Sequence, residues 1–206
     1  VLPVNDAPTL GVISNPAPIP EDSSQQTINL QGIGAGGGES QSLEVTVVSD
    51  NTALIPNPTV TYTSAEATGS IRYTPVGNAN GTATVTVTIR DAGLDGTPGN
   101  GDDATTSRSF TVTVNAVNDA PTISQIFDQT LDEDGTTNDL SFTLGDVETS
   151  AGSLTVTAGS SNTNLIPTGN VVVNGNGAVR TVVLRPVENQ SGTATITLTV
   201  KDSDQG

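Results

Sequence analysis

Val4-Asn5-Asp6-Ala7-Pro8-Thr9 returns residue for residue as Val117-Asn118-Asp119-Ala120-Pro121-Thr122, 113 positions further on (118 less 5). The likeness extends outward from these two copies. Glu21-Asp22 returns as Glu133-Asp134, and Leu43 to Pro56 returns as Leu154 to Pro167 with Leu-Ile-Pro intact. Pro75-Val76 returns as Pro186-Val187, and Gly81-Thr82-Ala83-Thr84 as Gly192-Thr193-Ala194-Thr195. The offset drifts only from 113 at the motif to 111 at Leu43 (154 less 43), so one structural plan is used twice, with small loop insertions absorbing the difference. A period this long is a domain's worth of chain, not one coil of a solenoid. The sequence opens at Val1 inside a copy of the motif, which reads as a piece of a longer array.

Composition removes several chemistries. The 206 residues contain no Cys, His, Met or Trp, which excludes disulfide stapling, thiol and imidazole chemistry and the usual Cys/His zinc sites. With 22 acidic against 6 basic side chains, the chain repels polyphosphate and anionic lipid, so neither nucleic acid nor membrane insertion is expected. Calcium is the counter-charge such a surface recruits most naturally. No apolar run is long enough to span a bilayer, and the first residues do not read as a signal peptide.

Strand-type alternation dominates. Val85, Val87 and Ile89 alternate with Thr84, Thr86 and Thr88, and Ile196, Leu198 and Val200 with Thr195, Thr197 and Thr199, one face buried and the other wet. Further β-branched runs lie at Leu43 to Val48, Thr59 to Thr63, Ser70 to Thr74, Phe110 to Val114, Leu154 to Thr157, Val171 to Val173 and Val179 to Leu184, separated by Gly, Pro, Asn and Asp. No stretch shows sustained helical spacing. Short strands at this frequency predict an all-β chain of two tandem immunoglobulin-like antiparallel β-sandwiches. The first domain is expected over 1–116, with 1–8 as a linker from a preceding repeat, and the second over 117–206, with linker 117–121. Strand A is expected near Thr9 to Ser14, B near Gln26 to Gln31 and G near Ser107 to Ala116. The second domain repeats strands A to F but lacks a counterpart of Phe110 to Val114. Either the piece is cut there, or a neighbouring molecule donates the strand. Tyr62, Tyr73, Phe110, Phe127 and Phe142 lie in or beside strand patterns and are expected in the cores.

With strands and linker placed, the Val-Asn-Asp-Ala-Pro-Thr segment resembles the interdomain linker of cadherin-like repeats of large bacterial surface and secreted proteins. The resemblance covers both units: Asn-Asp-Ala-Pro before strand A, an acidic pair at its end (Pro20-Glu21-Asp22 and Asp132-Glu133-Asp134), and Asp-Asn or Ser-Asn ahead of Leu-Ile-Pro. It departs from cadherins proper, whose linker has an extra Asp before the motif and an extra Asn within it; here Asn115-Ala116 precede Val117. The resemblance implies sandwiches strung end to end with Ca2+ at the junction. In an alternating seven-strand sandwich the AB, CD and EF loops lie at the end nearest the next domain. Glu21 and Asp22 of the first unit would then meet Asn118 and Asp119 of the linker and Asp146, Glu148, Asp202 and Asp204 of the second unit, with Asn78 and Asn80 as carbonyl donors. Calcium takes six to eight such oxygens at about 2.3–2.6 Å. The family's Pro-Glu acid maps onto Glu21, and its Asp-x-Asp pair onto Asp146-Val147-Glu148. The matching loop of the first unit, Gly34 to Gly38 and then Glu39, has one acid, so a site above the first unit is expected to differ.

Asp91 to Asp103 forms a second metal candidate. Asp91, Asp95, Gly96 and Asp102 fall at positions one, five, six and twelve of an EF-hand-like loop, with Asp103 next, while the third ligand and the closing Glu are missing. Each motif also has a plainer reading. Asn-Asp-Ala-Pro can be a rigid turn with Pro fixing φ, the acidic pairs solvated loop acids, and Asp91 to Asp103 a mobile Gly-rich loop. Asn80-Gly81-Thr82 and Asn189-Gln190-Ser191 read as turns before they read as glycan acceptors.

An enzyme is the least fitting class. Paired carboxylates can run glycoside hydrolysis, but they need a concave site, and these acids are duplicated on loops. With no His and only Lys201 among the lysines, no base stands out to activate Ser or Thr. The favoured reading is a calcium-rigidified extracellular spacer and adhesion module of a large repetitive bacterial surface or secreted protein, with neighbouring repeats as its partners. The alternatives are an accessory module for a surface glycan or protein ligand, or a fibre subunit completed by a donor strand.

Overall fold

The Thr-Val alternation of Gly81–Asp91 becomes a central strand whose two faces differ sharply. In the computed structural model, which describes residues 4–203, the chain divides after Val117 into two compact units. In the first, β1 is Ile19–Pro20, β2 Gln26–Gln31, β3 Leu43–Ser49, β4 Thr59–Thr61, β5 Thr68–Tyr73, β6 Gly81–Asp91 and β7 Thr105–Asn115. Two sheets, ordered β1-β7-β6-β3 and β2-β5-β4, enclose an aliphatic core. Strand β6 is paired on both edges, antiparallel to β3 and to β7, and its inward side chains Val85, Val87 and Ile89 are completely buried. Opposite Val85 stands Phe110, with Val112 and Val114 following on the same face of β7. Branched side chains stacked this way fill a pleated face with little rotamer freedom left to lose.

The expected continuous strand over Thr9 to Ser14 does not form. Thr9 makes an isolated bridge to Gly34 on one sheet; the chain then crosses to the other and runs as β1 parallel to β7, Ile19 opposite Val114. Pro16, Pro18 and Pro20 account for the interruption, since none has an N–H for a ladder. Asn15 substitutes a side chain for the missing pairing: its Oδ1 accepts the Thr111 N–H at 2.8 Å.

In the second unit β8 is Thr122–Ile123, β9 Leu140–Gly145, β10 Thr155–Ser160, β11 Val171–Asn174, β12 Val179–Leu184 and β13 Ile196–Lys201, with a single 3-10 turn at Thr168–Asn170. The sheets are β8-β9-β12-β11 and β10-β13. Among the described residues β13 has β10 as its one partner, and nothing stands where β7 stands in the first unit. The core is smaller, built on Phe142, Leu144, Leu154, Leu165, Ile166, Val171 and Val182. Arg180 is buried in it as well, donating to the carbonyls of Gly177 (3.2 Å), Ala151 (2.8 Å) and Leu154 (2.8 Å). Phe127 departs from expectation. It is 73% exposed, because its place in the repeat is that of Ser14, on the outward side of the chain.

Both tyrosines, Tyr62 and Tyr73, belong to the first unit's core. Burial raises both hydroxyls above the usual tyrosine range, with Glu66 adding to the effect at Tyr62. Tyrosine fluorescence therefore reports the first unit alone. Phe110→Ala is expected to lower that unit's stability in a denaturant titration by about 3–5 kcal/mol. A β-sheet circular dichroism transition from the second unit should stay in place.

Candidate metal centre

Each unit begins with an Asn-Asp-Ala-Pro segment, and in each the segment is tied to the same two strand ends. In the second unit Asn118 Nδ2 donates to Asp202 Oδ2 at 2.8 Å, just past the end of β13. The Asp119 N–H donates to Glu148 Oε2 at 3.1 Å, and Asp146 Oδ1 turns back to accept the N–H groups of Glu148 (3.0 Å) and Thr149 (2.6 Å). In the first unit Asn5 Nδ2 donates to Asp91 Oδ1 at 3.2 Å, at the end of β6, and to the Asp102 carbonyl at 2.9 Å. The Asp6 N–H donates to Glu39 Oε2 at 3.3 Å. Gln41 Nε2 links the set, donating to Asn5 Oδ1 (2.6 Å) and Glu39 Oε2 (3.0 Å). Threonine seats each segment, with the hydroxyls of Thr9 and Thr122 donating to the carbonyls of Gly32 and Gly145, both at 3.0 Å.

The duplication covers the roles as well as the residue types. Asn5 matches Asn118, Asp6 matches Asp119, Glu39 plays the part of Glu148 and Asp91 that of Asp202. The difference lies at Asp146. Gly34 pairs with Thr9 as Gly145 pairs with Thr122, so the residue after it is Ala35 in the first unit and Asp146 in the second. In the first unit, glycines let the loop approach the linker: a Cβ at Gly36, at φ +87°, would lie 2.2 Å from the Ala7 carbonyl, and one at Gly37 2.1 Å from Asp6 Oδ2.

Several oxygens in these heads are sealed from water with no hydrogen-bond donor: Asp119 Oδ2 and Asp146 Oδ2 in the second unit, Asp91 Oδ2 and Gln41 Oε1 in the first. A buried carboxylate oxygen without a donor is costly, and a hard cation is one way to satisfy it. Among the described residues no three acidic side chains already stand together closely enough to hold an ion on their own. Amide and backbone carbonyls would have to complete any such shell.

Residues 118–206 match the bacterial Ig domain family. No curated protein matches the chain. Among solved structures the chain is similar to the human Desmocollin-1 ectodomain (14% identity, 99% of this chain and 35% of that one, TM-score 0.40). It is similar also to the Protocadherin GammaB4 extracellular domain (13% identity, 97% and 33%, TM-score 0.39) and to the tandem Ig repeats of Dlar (11% identity, 95% and 90%, TM-score 0.34). The bacterial Ig match thus begins at Asn118, the residue whose side chain reaches Asp202.

The other expected ligands are placed as follows. Glu21 is buried at the C-terminal end of the first unit: its N–H donates to the Asn115 carbonyl (2.8 Å), Oε1 accepts the Val117 N–H (2.7 Å), and Oε2 has no hydrogen-bond partner. Asp22 is exposed, at φ +61°, and its Oδ1 accepts the Asn78 N–H at 3.0 Å. Asp134 repeats this contact with the Asn189 N–H at 2.7 Å, so the second acid of each Glu-Asp pair ties down a turn. Asp204 lies outside the described residues.

In the loop from Asp91 to Asp103 the carboxylates mainly cap its own backbone. Asp91 Oδ1 accepts the N–H groups of Gly93 (3.1 Å) and Ala104 (2.8 Å), Asp95 Oδ1 that of Thr97 (2.7 Å), and Asp102 Oδ2 that of Leu94 (3.0 Å). Asp103 accepts from Gly99 and lies 3.8 Å from Arg90 Nε. Asp91 thus joins its own loop to Asn5 of the linker segment. Sequence reasoning missed Asn5, Asp6 and Glu39 as a set, although the first copy of the motif was the signal for it.

Gly36→Ala is expected to cost about 2–3 kcal/mol of first-unit stability by tyrosine fluorescence, combining backbone strain with the clash against Ala7. Gly38→Ala, at φ +85° with nothing within 4 Å, should cost less.

Proposed function

We propose that this chain is an extracellular repeat module that spaces other domains of a large bacterial surface or secreted protein, and that calcium stiffens it by binding at the acidic head of each unit. The observation that carries the reading is the group of buried, donorless carboxylate oxygens on Asp119, Asp146 and Asp91, beside linker residues already tied to strand ends. In the second unit Asp119 and Asp146 would supply oxygens first, with Glu148, Asp202 and the Asn118 amide oxygen within the same network. In the first unit Asp91 would be joined by Asp6, Glu39 and Gln41. The ion's role would be to neutralise crowded acids and to restrain the linker where it enters each unit. An adhesive role for the whole protein follows from the same reading, with neighbouring repeats as partners. The module is read as non-enzymatic because its acids are engaged in duplicated backbone caps. A second reading, an accessory module for a glycan or protein ligand, draws on Phe127, whose ring is mostly exposed as carbohydrate platforms require. Saturable signals on a glycan array, lost in Phe127→Ala, would favour it.

Calcium titrated by calorimetry into the chain should show saturable heat, a melting temperature that rises with calcium and falls on adding EDTA, and a stiffer envelope by small-angle scattering. Asp146→Ala and Asp119→Asn should each weaken binding at the second unit by tenfold or more, about 1.4 kcal/mol, and leave a first-unit site titrating. No heat and no change in melting would leave the repeats as passive spacers.

A further inference from the structure

The dipeptide Asn-Gly occurs four times, beginning at Asn80, Asn100, Asn174 and Asn176. Glycine after asparagine leaves the next backbone nitrogen unshielded by a Cβ and the backbone free to turn, so that nitrogen can reach the side-chain amide carbon. By sequence the four are equal, and the fold separates them. Asn100 is pinned by its side chain, which donates from Nδ2 to Asp95 Oδ2 (2.9 Å) and accepts the Asp102 N–H at Oδ1 (3.2 Å). At Asn80 the attacking nitrogen would be that of Gly81, the first residue of β6, held opposite Val114. Asn174 is the last residue of β11, paired with Thr181, and Gly175 after it is crowded: a Cβ there would lie 3.2 Å from the Val179 carbonyl oxygen. Asn176 has none of these restraints. It is exposed, lies in the bend between β11 and β12, and its side chain has no hydrogen-bond partner among the described residues. A Cβ at Gly177 would meet nothing within 4 Å beyond its chain neighbours.

We propose that Asn176-Gly177 is a self-modifying site, at which the chain deamidates and isomerises ahead of its other Asn-Gly pairs. The Gly177 nitrogen loses its proton and bonds to Asn176 Cγ, the bond from Cγ to the side-chain nitrogen breaks, and that nitrogen leaves with the proton as ammonia. The cyclic imide then takes up one water. Opening at Cγ gives aspartate on an unchanged main chain. Opening at the main-chain carbonyl gives isoaspartate, whose backbone runs through the former side chain and is one methylene longer. The consequence falls on the corner of the second unit that holds the loop between β9 and β10. The Gly177 carbonyl accepts from Arg180 Nε at 3.2 Å, and Nη2 of the same buried guanidinium holds the carbonyls of Ala151 and Leu154, each at 2.8 Å. The next carbonyl, that of Ala178, accepts the Leu144 N–H at 2.8 Å near the end of β9. A methylene added between residues 176 and 177 displaces both acceptors. Arg180 then loses one of its three carbonyl partners in a buried setting, where an unmade hydrogen bond is costly. Isoaspartate therefore loosens this corner, whereas aspartate adds only an exposed charge.

The test ages the full 206-residue chain at mildly alkaline pH in EDTA, so that the result does not depend on the calcium reading. Proteolytic peptides are mapped by mass spectrometry, and isoaspartate is read by isoaspartyl-specific carboxyl methylation. Product at Asn176 is expected to accumulate several-fold faster than at Asn80, Asn100 or Asn174. Gly177→Ala, at a position with open space and no positive φ, should slow the reaction at Asn176 several-fold. The same variant should leave the other three sites and the circular dichroism of the fresh chain unchanged. In the aged chain the second unit's thermal transition should move down, while the first unit's tyrosine-fluorescence transition stays in place. Asn176→Asp, which carries the charge without the extra methylene, should melt like the fresh chain. Reaction at any of the other three sites as fast as at Asn176, or an unchanged rate in Gly177→Ala, would overturn the site. An isoaspartate-bearing chain whose second-unit transition does not move would overturn the consequence drawn through Arg180.

Discussion

Strand β6 is paired on both edges, and the first unit's core depends on that. Its inward valines and isoleucine reach complete burial because β3 and β7 close the sheet on either side and β7 brings Phe110 across from Val85. Burial of aliphatic surface is the main favourable term for a chain with so few aromatics, so a missing neighbour is felt directly in exposure. The second unit shows this by contrast. Its equivalent strand, β13, has the same alternation of Thr with branched residues but, among the described residues, one partner, and its apolar side chains are half-buried.

The acidic residues play a second organising part. Among the described residues few of them face a side chain of opposite charge; the ion pairs there join Arg90 to Glu44 and to Asp103. Instead the carboxylates accept backbone N–H groups: Glu21 from Val117, Glu148 from Asp119, Asp146 from its own turn, Asp22 from Asn78, and the aspartates of the Asp91 to Asp103 loop from that loop. Charge-assisted bonds of this kind are stronger than neutral ones, and they hold loops and linker without help from a large core. They also concentrate negative charge at the head of each unit, leaving single buried oxygens unfilled at Asp119, Asp146 and Asp91. The same geometry thus serves a structural end, holding loops and linker segments to the strands.

Much of this was legible in the residues. The repeat of Val-Asn-Asp-Ala-Pro-Thr gave two units, and period-two alternation located β3, β6, β7, β12 and β13 closely, because burial on one face leaves an alternating pattern in the chain itself. Asn118, Asp119, Glu148 and Asp202 were read as junction ligands together with Glu21, Asp22, Asp146 and Asp204; the fold pairs Asn118 with Asp202 and Asp119 with Glu148 inside the second unit. What the pattern did not show is where local rules compete. Three prolines between Asn15 and Glu21 split the first strand and moved its second half to the other sheet. Asp22 shares its dipeptide with Glu21, yet a left-handed backbone turns it to the Asn78 amide while Glu21 is buried under Val117.

The sequence by itself determined the all-β class, the two-unit plan and the residue types at each head, since these follow from periodicity, repetition and charge. Only the tertiary structure decided that Asp91 joins its own loop to Asn5 of the linker segment, and that the first chain segment crosses from one sheet to the other. Partners such as Asn5 and Asp91 are joined across 86 positions of chain by folding, and their contact leaves no local mark in the order of the residues.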